Sequence, residues 1–516
     1  MCMLARGLTC GLLLLQVGCA MLHTGVPDAA LRQRILLPPN LAPPPSQTPA
    51  QAPVAPAETP PAPYLDPQAE EAEVVSSSES LLPLAKSGAL TLEQAIDLAQ
   101  SSNPNLEAMS ERITQAEGGK IVSFAEFLPD SRVLYRHIED PPDSTSEPFV
   151  LPTLPTNLVG NLAFGGAAQR WDLTELHVQW TLCDFGRRAA KYGQAKMSVD
   201  IARLQYRRAL QSVAFGVATQ YFAVLQAEAT ARVAEEAIQR AEIDLRDARN
   251  FLRRGVGIRN QVLRAEATVA EMRLNLIKAR TARSVAVAGL NQAIGINVSA
   301  DTQIVDRTAA PSFDLPLEDC LQLAVSNREE FGVVLDSIRS ARFGVGQAQA
   351  DFMPRVLVGG VAAHEVNNEG VRANLAAGGL AIELVLFEGG KRLGRLRMAE
   401  AEARAALAQG KEVCDRIAYE VNVAYVAIAD ARERMVQSEK AVTAGTENLR
   451  VVRGQLEQGD ASPTDVADAE LVLTRAQQSY YTALYDYQLA LARLAYAVGL
   501  RVGVGWTVQV GNANYD

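Results

Sequence analysis

The sequence predicts a mainly α-helical protein with a small β part, built as a duplicated helix–strand–strand–helix–helix unit. Three observations predict it. The first is an internal repeat: Thr91-Leu-Glu-Gln-Ala-Ile-Asp-Leu-Ala matches Pro316-Leu-Glu-Asp-Cys-Leu-Gln-Leu-Ala, and Phe127-Leu-Pro129 matches Phe352-Met-Pro354. After a loop of different length the register resumes, with Leu182-Cys-Asp-Phe-Gly-Arg-Arg188 on Leu386-Phe-Glu-Gly-Gly-Lys-Arg392. Val213, Val217, Tyr221 and Val224 then fall on Ile417, Val421, Tyr425 and Ile428, and Gly255 and Gly295 on Gly459 and Gly499. The second is a pair of very long stretches with apolar residues at steps of three and four, the helical period. The third is strict apolar alternation in short stretches between helices, the strand period. The repeat units span residues 90–300 and 315–500, followed by a tail at 501–516.

Each unit follows one plan. A first helix opens on a capping box at Thr91 and Gln94 and runs to about Ala125. Pro129 and Pro354 bar its continuation. Strands are expected near Arg132–Ile138 and Arg355–His364, then at Glu175–Leu182, where Leu176, Val178, Trp180 and Leu182 alternate with other residues. In the second unit Leu380, Ile382, Leu384 and Leu386 do the same. Long helices follow, from Arg187 to about Arg254 and from Lys391 to about Gln458, each broken at a glycine. A last helix reaches Gly295 or Gly499.

Length arithmetic constrains how these parts pack. A helix of about 68 residues, rising about 1.5 Å per residue, is roughly 100 Å long. The first and last helices of a unit are about half that, so two stacked end to end match one long antiparallel helix, with Leu210, Val213, Val217, Tyr221 and Val224 as a seam. A plain helical hairpin explains the helices and leaves the strands without a role. Four strands cannot close a barrel, and an open edge is not viable in lipid; three chains give twelve, an even number. Trp171, Trp180 and Tyr135 are candidate interfacial aromatics, with core packing as the plainer fate of each.

Composition excludes several classes. The chain has 516 residues, 48% hydrophobic, with 49 basic against 59 acidic side chains, and this acidic balance offers no basic face for nucleic acid. The six cysteines and four histidines are too scattered for a disulfide framework or a metal site, and no cofactor is expected. Gly119-Lys120, Gly390-Lys391 and Gly410-Lys411 lack P-loop spacing, and no Gly-x-Ser-x-Gly, His-Glu-x-x-His or dinucleotide fingerprint occurs. No catalytic residue is assigned and the protein is read as a non-enzyme. Asp184 and Glu388 stand at matching positions beside Gly186, Gly389 and Gly390, and read as turn residues of two strand-to-helix elbows.

The N-terminus reads as an export signal: Arg6, an apolar run over Leu12–Leu15, then Gly18-Cys19. Residues 1–18 resemble a lipoprotein signal, with Cys19 as the lipidated first residue; ordinary cleavage after Ala20 is the alternative. Residues 19–89 form a Pro-rich tether, crowded at Pro43-Pro44-Pro45 and Pro60-Pro61, that cannot bury a core.

The duplicated unit, with Leu386-Phe-Glu-Gly-Gly390 at an elbow and a glycine at each hairpin tip, resembles the TolC-like outer-membrane efflux proteins over about residues 90–500. The resemblance implies a homotrimer with a twelve-stranded outer-membrane β-barrel continued by a trimeric α-barrel tunnel through the periplasm. It implies a passive exit duct of a tripartite efflux or secretion system, set in outer-membrane lipid, with a periplasmic adaptor (membrane fusion protein) and an inner-membrane pump of RND or ABC type as partners. Lipidated members raise the case for Cys19. The adaptor-docking tips then match Arg254-Gly255-Val256-Gly257 and Gln458-Gly459-Asp460. Asp465 and Asp468, three apart and on one helix face, match the family's paired aspartates and would stack as acidic rings at a constriction. The plainer reading is an acidic first turn behind the cap Ser462-Pro463. The first unit carries Gln261 and Arg264 instead. The alternative from another class is a periplasmic adaptor or coiled-coil scaffold without channel activity; an adaptor has one hairpin, and a scaffold needs no strand pairs.

Overall fold

The computed structural model describes residues 89–139, 149–150, 163–164, 170–255, 257–306, 313–367 and 372–502. The first repeat contributes α1 (Leu92–Ser102), α2 (Pro104–Ala125), β1 (Asp130–Glu139), β2 (Phe149–Val150), β3 (Ala163–Phe164), β4 (Arg170–Cys183), α3 (Arg187–Arg253) and α4 (Arg259–Ile294). The second contributes α5 (Leu317–Asn327), α6 (Glu329–Ala350), β5 (Arg355–Asn367), β6 (Arg372–Glu383), α7 (Lys391–Gln458) and α8 (Pro463–Val498). The export signal, Cys19 and the tether lie outside the described residues, as does Val256.

The capping box forms as expected: Gln94 N donates to Thr91 Oγ1 at 3.3 Å and Thr91 N to Gln94 Oε1 at 3.1 Å. The single first helix does not. It divides into α1 and α2 because Pro104 has no N–H and holds Asn103 extended, at φ −80° and ψ 117°. The second repeat divides at the matching place without a proline. Arg328 is extended at φ −76° and ψ 122° because its buried guanidinium reaches Glu420 Oε2 at 2.6 Å and Ala497 O at 3.1 Å. Gly499, at the left-handed end of α8, fits against this break: a Cβ there would come within 2.8 Å of Asn327 C and O. Gly295 sits the same way against Ser102 O, at 3.1 Å.

Two compact units result. One gathers Ser110–Gln205 with Glu330–Cys414 and holds a four-stranded antiparallel sheet in the order β1-β4-β5-β6; β2 and β3 pair separately. The two repeats have the same register: Asp130↔Gln179 and Val133↔Leu176 correspond to Arg355↔Glu383 and Val358↔Leu380. β6 stops at Glu383, so Leu384 and Leu386, expected in the strand, lie outside it. Their counterparts Trp180 and Leu182 lie within β4, whose end pairs with β5 through Trp180↔Val358, Thr181↔Leu357 and Cys183↔Val356. A strand continues only where a ladder partner exists, and β6 has none there within the chain.

The other unit gathers the described parts of Pro43–Met109, Tyr206–Glu329 and Asp415–Asp516. Its core joins Ile96 and Ala99 of α1, Val217, Tyr221 and Val224 of α3, Leu290 and Ile294 of α4, and Tyr485 and Ala492 of α8. Tyr221 also donates its hydroxyl to Val305 O at 2.6 Å, beside the bridge of Leu90 to Ile304. Val217, Tyr221 and Val224 of the expected seam are therefore core, and alanines among them (Ala95, Ala99, Ala214, Ala218, Ala229 and Ala492) let the helices approach closely.

Candidate functional site

The sheet has two unlike faces, because alternate residues of a strand point to opposite sides. One face carries Val133, Tyr135, Leu176, Val178, Trp180, Leu380 and Ile382, all exposed, with Ile382 69% and Val133 68% accessible. Towards the far end this face turns polar: Tyr135 Oη donates to Asp172 Oδ1 at 2.6 Å, and His137 Nδ1 lies 2.7 Å from the same oxygen. The opposite face buries apolar Leu173, Leu357, Val361 and Ala363 around a charged group. Glu175 is wholly buried there, 3.1 Å from Arg136 Nη2 and 3.3 Å from His177 Nε2. Large apolar groups left exposed on one face, and a carboxylate buried among apolar side chains on the other, depart from the pattern of a water-soluble sheet. Trp180 donates Nε1–H to Phe127 O at 2.8 Å, an apolar ring with a satisfied polar end. The side chain of Trp171 lies outside the described set.

The strand-to-helix elbows are built twice from the same parts. Phe185 and Gly186 have φ of 51° and 94°, and Gly389 and Gly390 have 58° and 85°. Asp184 is buried and holds Arg188, accepting from its Nε at 2.8 Å and its backbone N at 3.0 Å. Arg188 also donates to Glu126 O at 3.1 Å and Leu182 O at 3.4 Å, and lies 5.1 Å over the Phe127 ring. In the second elbow Arg392 lies 3.4 Å from Glu388, donates to Asp351 O at 3.3 Å and to Val385 O, and stands 5.5 Å over Phe352. The reading of Asp184 and Glu388 as turn residues gains a partner here that sequence reasoning missed. The signal was present, since Arg188 and Arg392 fall on each other in the repeat.

The hairpin tips are also paired. Gly255 and Gly459 have φ of 80° and 86°, and Arg254, Gln458 and Asp460 around them are exposed. Gly257 N donates to Phe251 O and has no room for a Cβ, which would meet Phe251 at 3.0 Å. After the second tip Ser462 caps α8 with Pro463 as its first residue. Asp465 Oδ2 accepts from Ser462 N and Oγ, both at 2.8 Å. These bonds, the backbone one first, hold the exposed Asp465 carboxyl below the usual carboxylate range. At the first tip Gln261 makes the matching bond, accepting from Ile258 N at 3.3 Å. Asp468 is exposed one turn on.

Above both tips an arginine of the long helix pairs with a glutamate of the last: Arg249 with Glu266 at 2.7 Å, and Arg453 with Glu470. Glu470 is buried, and Asp244 of α3 lies against it. Burial first, then the Glu470 charge, pushes the Asp244 carboxyl up to about 7, opposed by Arg453. Nothing in the sequence marks Asp244, because its environment comes from a different hairpin.

The sequence also matches a known family pattern, described as outer membrane efflux protein, over residues 95–296 and 320–500. The chain belongs to this family. Among its relatives, AprF, an alkaline protease secretion protein of Pseudomonas aeruginosa, is 24% identical over 298 residues, 54% of this chain and 60% of AprF. NccC, a nickel-cobalt-cadmium resistance protein of Alcaligenes xylosoxydans xylosoxydans, is 27% identical over 42% of this chain and 47% of NccC. The chain thus aligns with between about half and three-fifths of these relatives' lengths. The crystal structure of the outer membrane protein VceC from Vibrio cholerae shares the fold at a TM-score of 0.66, with 20% identity, covering 79% of this chain and 96% of VceC. The duplicated mainly helical architecture is that of outer-membrane channels.

Proposed function

We propose that this family member is a passive outer-membrane exit duct: three copies close a twelve-stranded barrel in the outer membrane and continue as a helical tunnel towards an inner-membrane pump. The observation that carries this reading is the four-stranded sheet with outer strands β1 and β6 and one exposed apolar face. In lipid such a sheet must close, and twelve strands do so with the apolar face outward and the Glu175 face towards the lumen. No described helix is long and apolar enough to cross a membrane, so strands are the spanning elements of this reading.

The remaining assignments rest on it. Cys19 carries lipid and anchors the chain through the 19–89 tether. The tips, Arg254–Gly257 and Gln458–Asp460, dock the periplasmic adaptor, which links the duct to an RND or ABC-type pump. Asp465 and Asp468 line the periplasmic constriction. Relatives named for protease secretion and for metal resistance support both substrate classes equally, because the pump selects the cargo.

Purified protein in planar bilayers tests this. Discrete conductance steps, together with a light-scattering mass of three chains in detergent, are the expected result. A monodisperse monomer without conductance overturns the duct and favours the scaffold reading. Palmitate labelling lost on Cys19→Ser checks the anchor alone.

A further inference from the structure

The two hairpins of the chain are joined in different ways along their length. Far from the tips the joint is apolar: Val217, Tyr221 and Val224 of α3 share a core with Tyr485 and Ala492 of α8. Nearer the tips, apolar clusters form within each hairpin. Ala231 and Ala234 of α3 pack with Ala279 of α4, and Leu449 of α7 packs with Val466, Ala469 and Leu473 of α8. At this level α8 carries a second, polar row: Glu470, Thr474, Gln477 and Tyr481, at helical steps of four, three and four. Three of these meet α3. Arg232 lies 5.8 Å over the Tyr481 ring, Arg240 donates to Thr474 Oγ1 at 3.2 Å, and Asp244 is hydrogen-bonded to Glu470.

We propose that this polar seam is a proton-operated clasp: one proton shared between Asp244 and Glu470 holds the two hairpins together near their tips, and its loss lets them part. The seam lies within one chain; that its parting widens the periplasmic end rests on the duct reading above. Two carboxylates have acceptors only, so a hydrogen bond between them needs one protonated. Glu470 is buried and already takes the Arg453 guanidinium from α7, which leaves Asp244 to hold the proton. The charged groups facing Asp244 are Glu470 from α8, Arg453 from α7 and Asp247 on its own helix, while Arg273 of α4 is taken by Glu242 at 2.8 Å. Burial first, then Glu470, raises the Asp244 carboxyl to about 7 against the opposing Arg453.

The seam is built to separate. Arg240 Nε and Gln477 Oε1 are buried in it without a hydrogen-bond partner among the described residues, and water satisfies both once the helices part. The repeat shows that the carboxyl pair is particular to this contact. Arg453 and Glu470 recur as Arg249 and Glu266, but Asp244, Arg240 and Thr474 fall on Asn448, Ala444 and Ala270. Parting exposes Asp244 to water, where such a carboxyl titrates at about 4. Between that value and about 7 the closed form holds a proton that the open form does not, so acid favours closure. Going from pH 8 to pH 5 should raise the closed-to-open ratio at least about tenfold.

Thiol accessibility tests the clasp in full-length protein with Cys183, Cys320 and Cys414 replaced by serine. Thr474→Cys reports from the seam, where residue 474 is 8% exposed, and Val472→Cys from the surface beside it, at 52%. Each is treated with a charged methanethiosulfonate reagent at pH 8 and pH 5, and the modified peptide is read by mass spectrometry. The rate at 474 divided by that at 472 should fall at least about tenfold from pH 8 to pH 5. Asp244→Asn keeps a donor to Glu470 at every pH and should hold the ratio low throughout. A ratio that ignores pH with Asp244 present, or a pH response that survives Asp244→Asn, overturns the clasp. In planar bilayers the open time at pH 8 should exceed that at pH 5, and Asp244→Asn should remove the difference. Conductance that ignores pH while the ratio responds overturns control of the passage by this seam. Protein that never conducts while the ratio responds overturns the duct reading and leaves the clasp standing.

Discussion

Arg188→Met is the sharpest test of how the elbow is held. Methionine keeps the aliphatic stem and removes the guanidinium. The Arg188 side chain is 11% exposed and its partner Asp184 9%, so the substitution strands a buried carboxylate. Breaking a buried pair from one side costs about 3–5 kcal/mol. Asp184 keeps its bond to the backbone N of residue 188, which sets the expectation at the lower end, about 3 kcal/mol. The second elbow supplies an internal control. Glu388 is 31% exposed and its distance to Arg392 is longer, 3.4 Å, so water can replace the arginine and Arg392→Met should cost about 1–1.5 kcal/mol. The assay is urea unfolding of detergent-solubilised protein, followed by helical circular dichroism at fixed concentration, with Asp184→Asn closing a double-mutant cycle. Coupling between Asp184 and Arg188 should exceed that between Glu388 and Arg392 by at least about 1 kcal/mol. Equal costs at the two elbows, or a loss below about 1 kcal/mol for Arg188→Met, would refute the argument that burial decides the strength of this pair.

Asp465→Ala with Asp468→Ala should leave the fold intact and weaken cation preference and block by divalent cations in planar bilayers; unchanged selectivity would make these residues a charged helix start alone. Asp244 faces Glu470 on α8, Arg453 on α7 and Asp247 on its own helix, and its carboxyl is raised to about 7. Its contribution to stability is therefore complete below an unfolded pKa of about 4 and lost as pH rises through about 7. The thermal midpoint should rise on going from pH 8 to pH 5, and Asp244→Asn should flatten that part of the profile; an unchanged slope would exclude Asp244 as its source. Gly186→Ala should cost about 1–2 kcal/mol because φ 94° lies beyond the left-handed basin, whereas Gly389→Asn, at φ 58°, should cost a few tenths, measured by the same urea unfolding.

What the sequence determined by itself is whatever depends on short range or on repetition. The Thr91 capping box, the Ser462-Pro463 helix start and the glycines at 255, 295, 459 and 499 are local chemistry, and each stands where the pattern placed it. Alternation in 176–182 identified a strand because period two is written in the residues themselves. The repeat did more than give the order of elements: its two offsets reproduce the register of β1 on β4 in that of β5 on β6.

Only the tertiary structure decided the features that depend on a distant partner. The break at Arg328 carries no proline; it follows from a guanidinium drawn to Glu420 and Ala497 and from Gly499 pressed against it. The end of β6 at Glu383 is invisible in Leu384 and Leu386, whose alternation continues, because hydrogen bonding to a neighbouring strand sets where a ladder stops. Asp244 looks like any surface aspartate until α8 brings Glu470 against it. Local pattern fixes conformation a few residues at a time, whereas burial, charge pairing and strand ends are set by groups that the chain brings together from far apart.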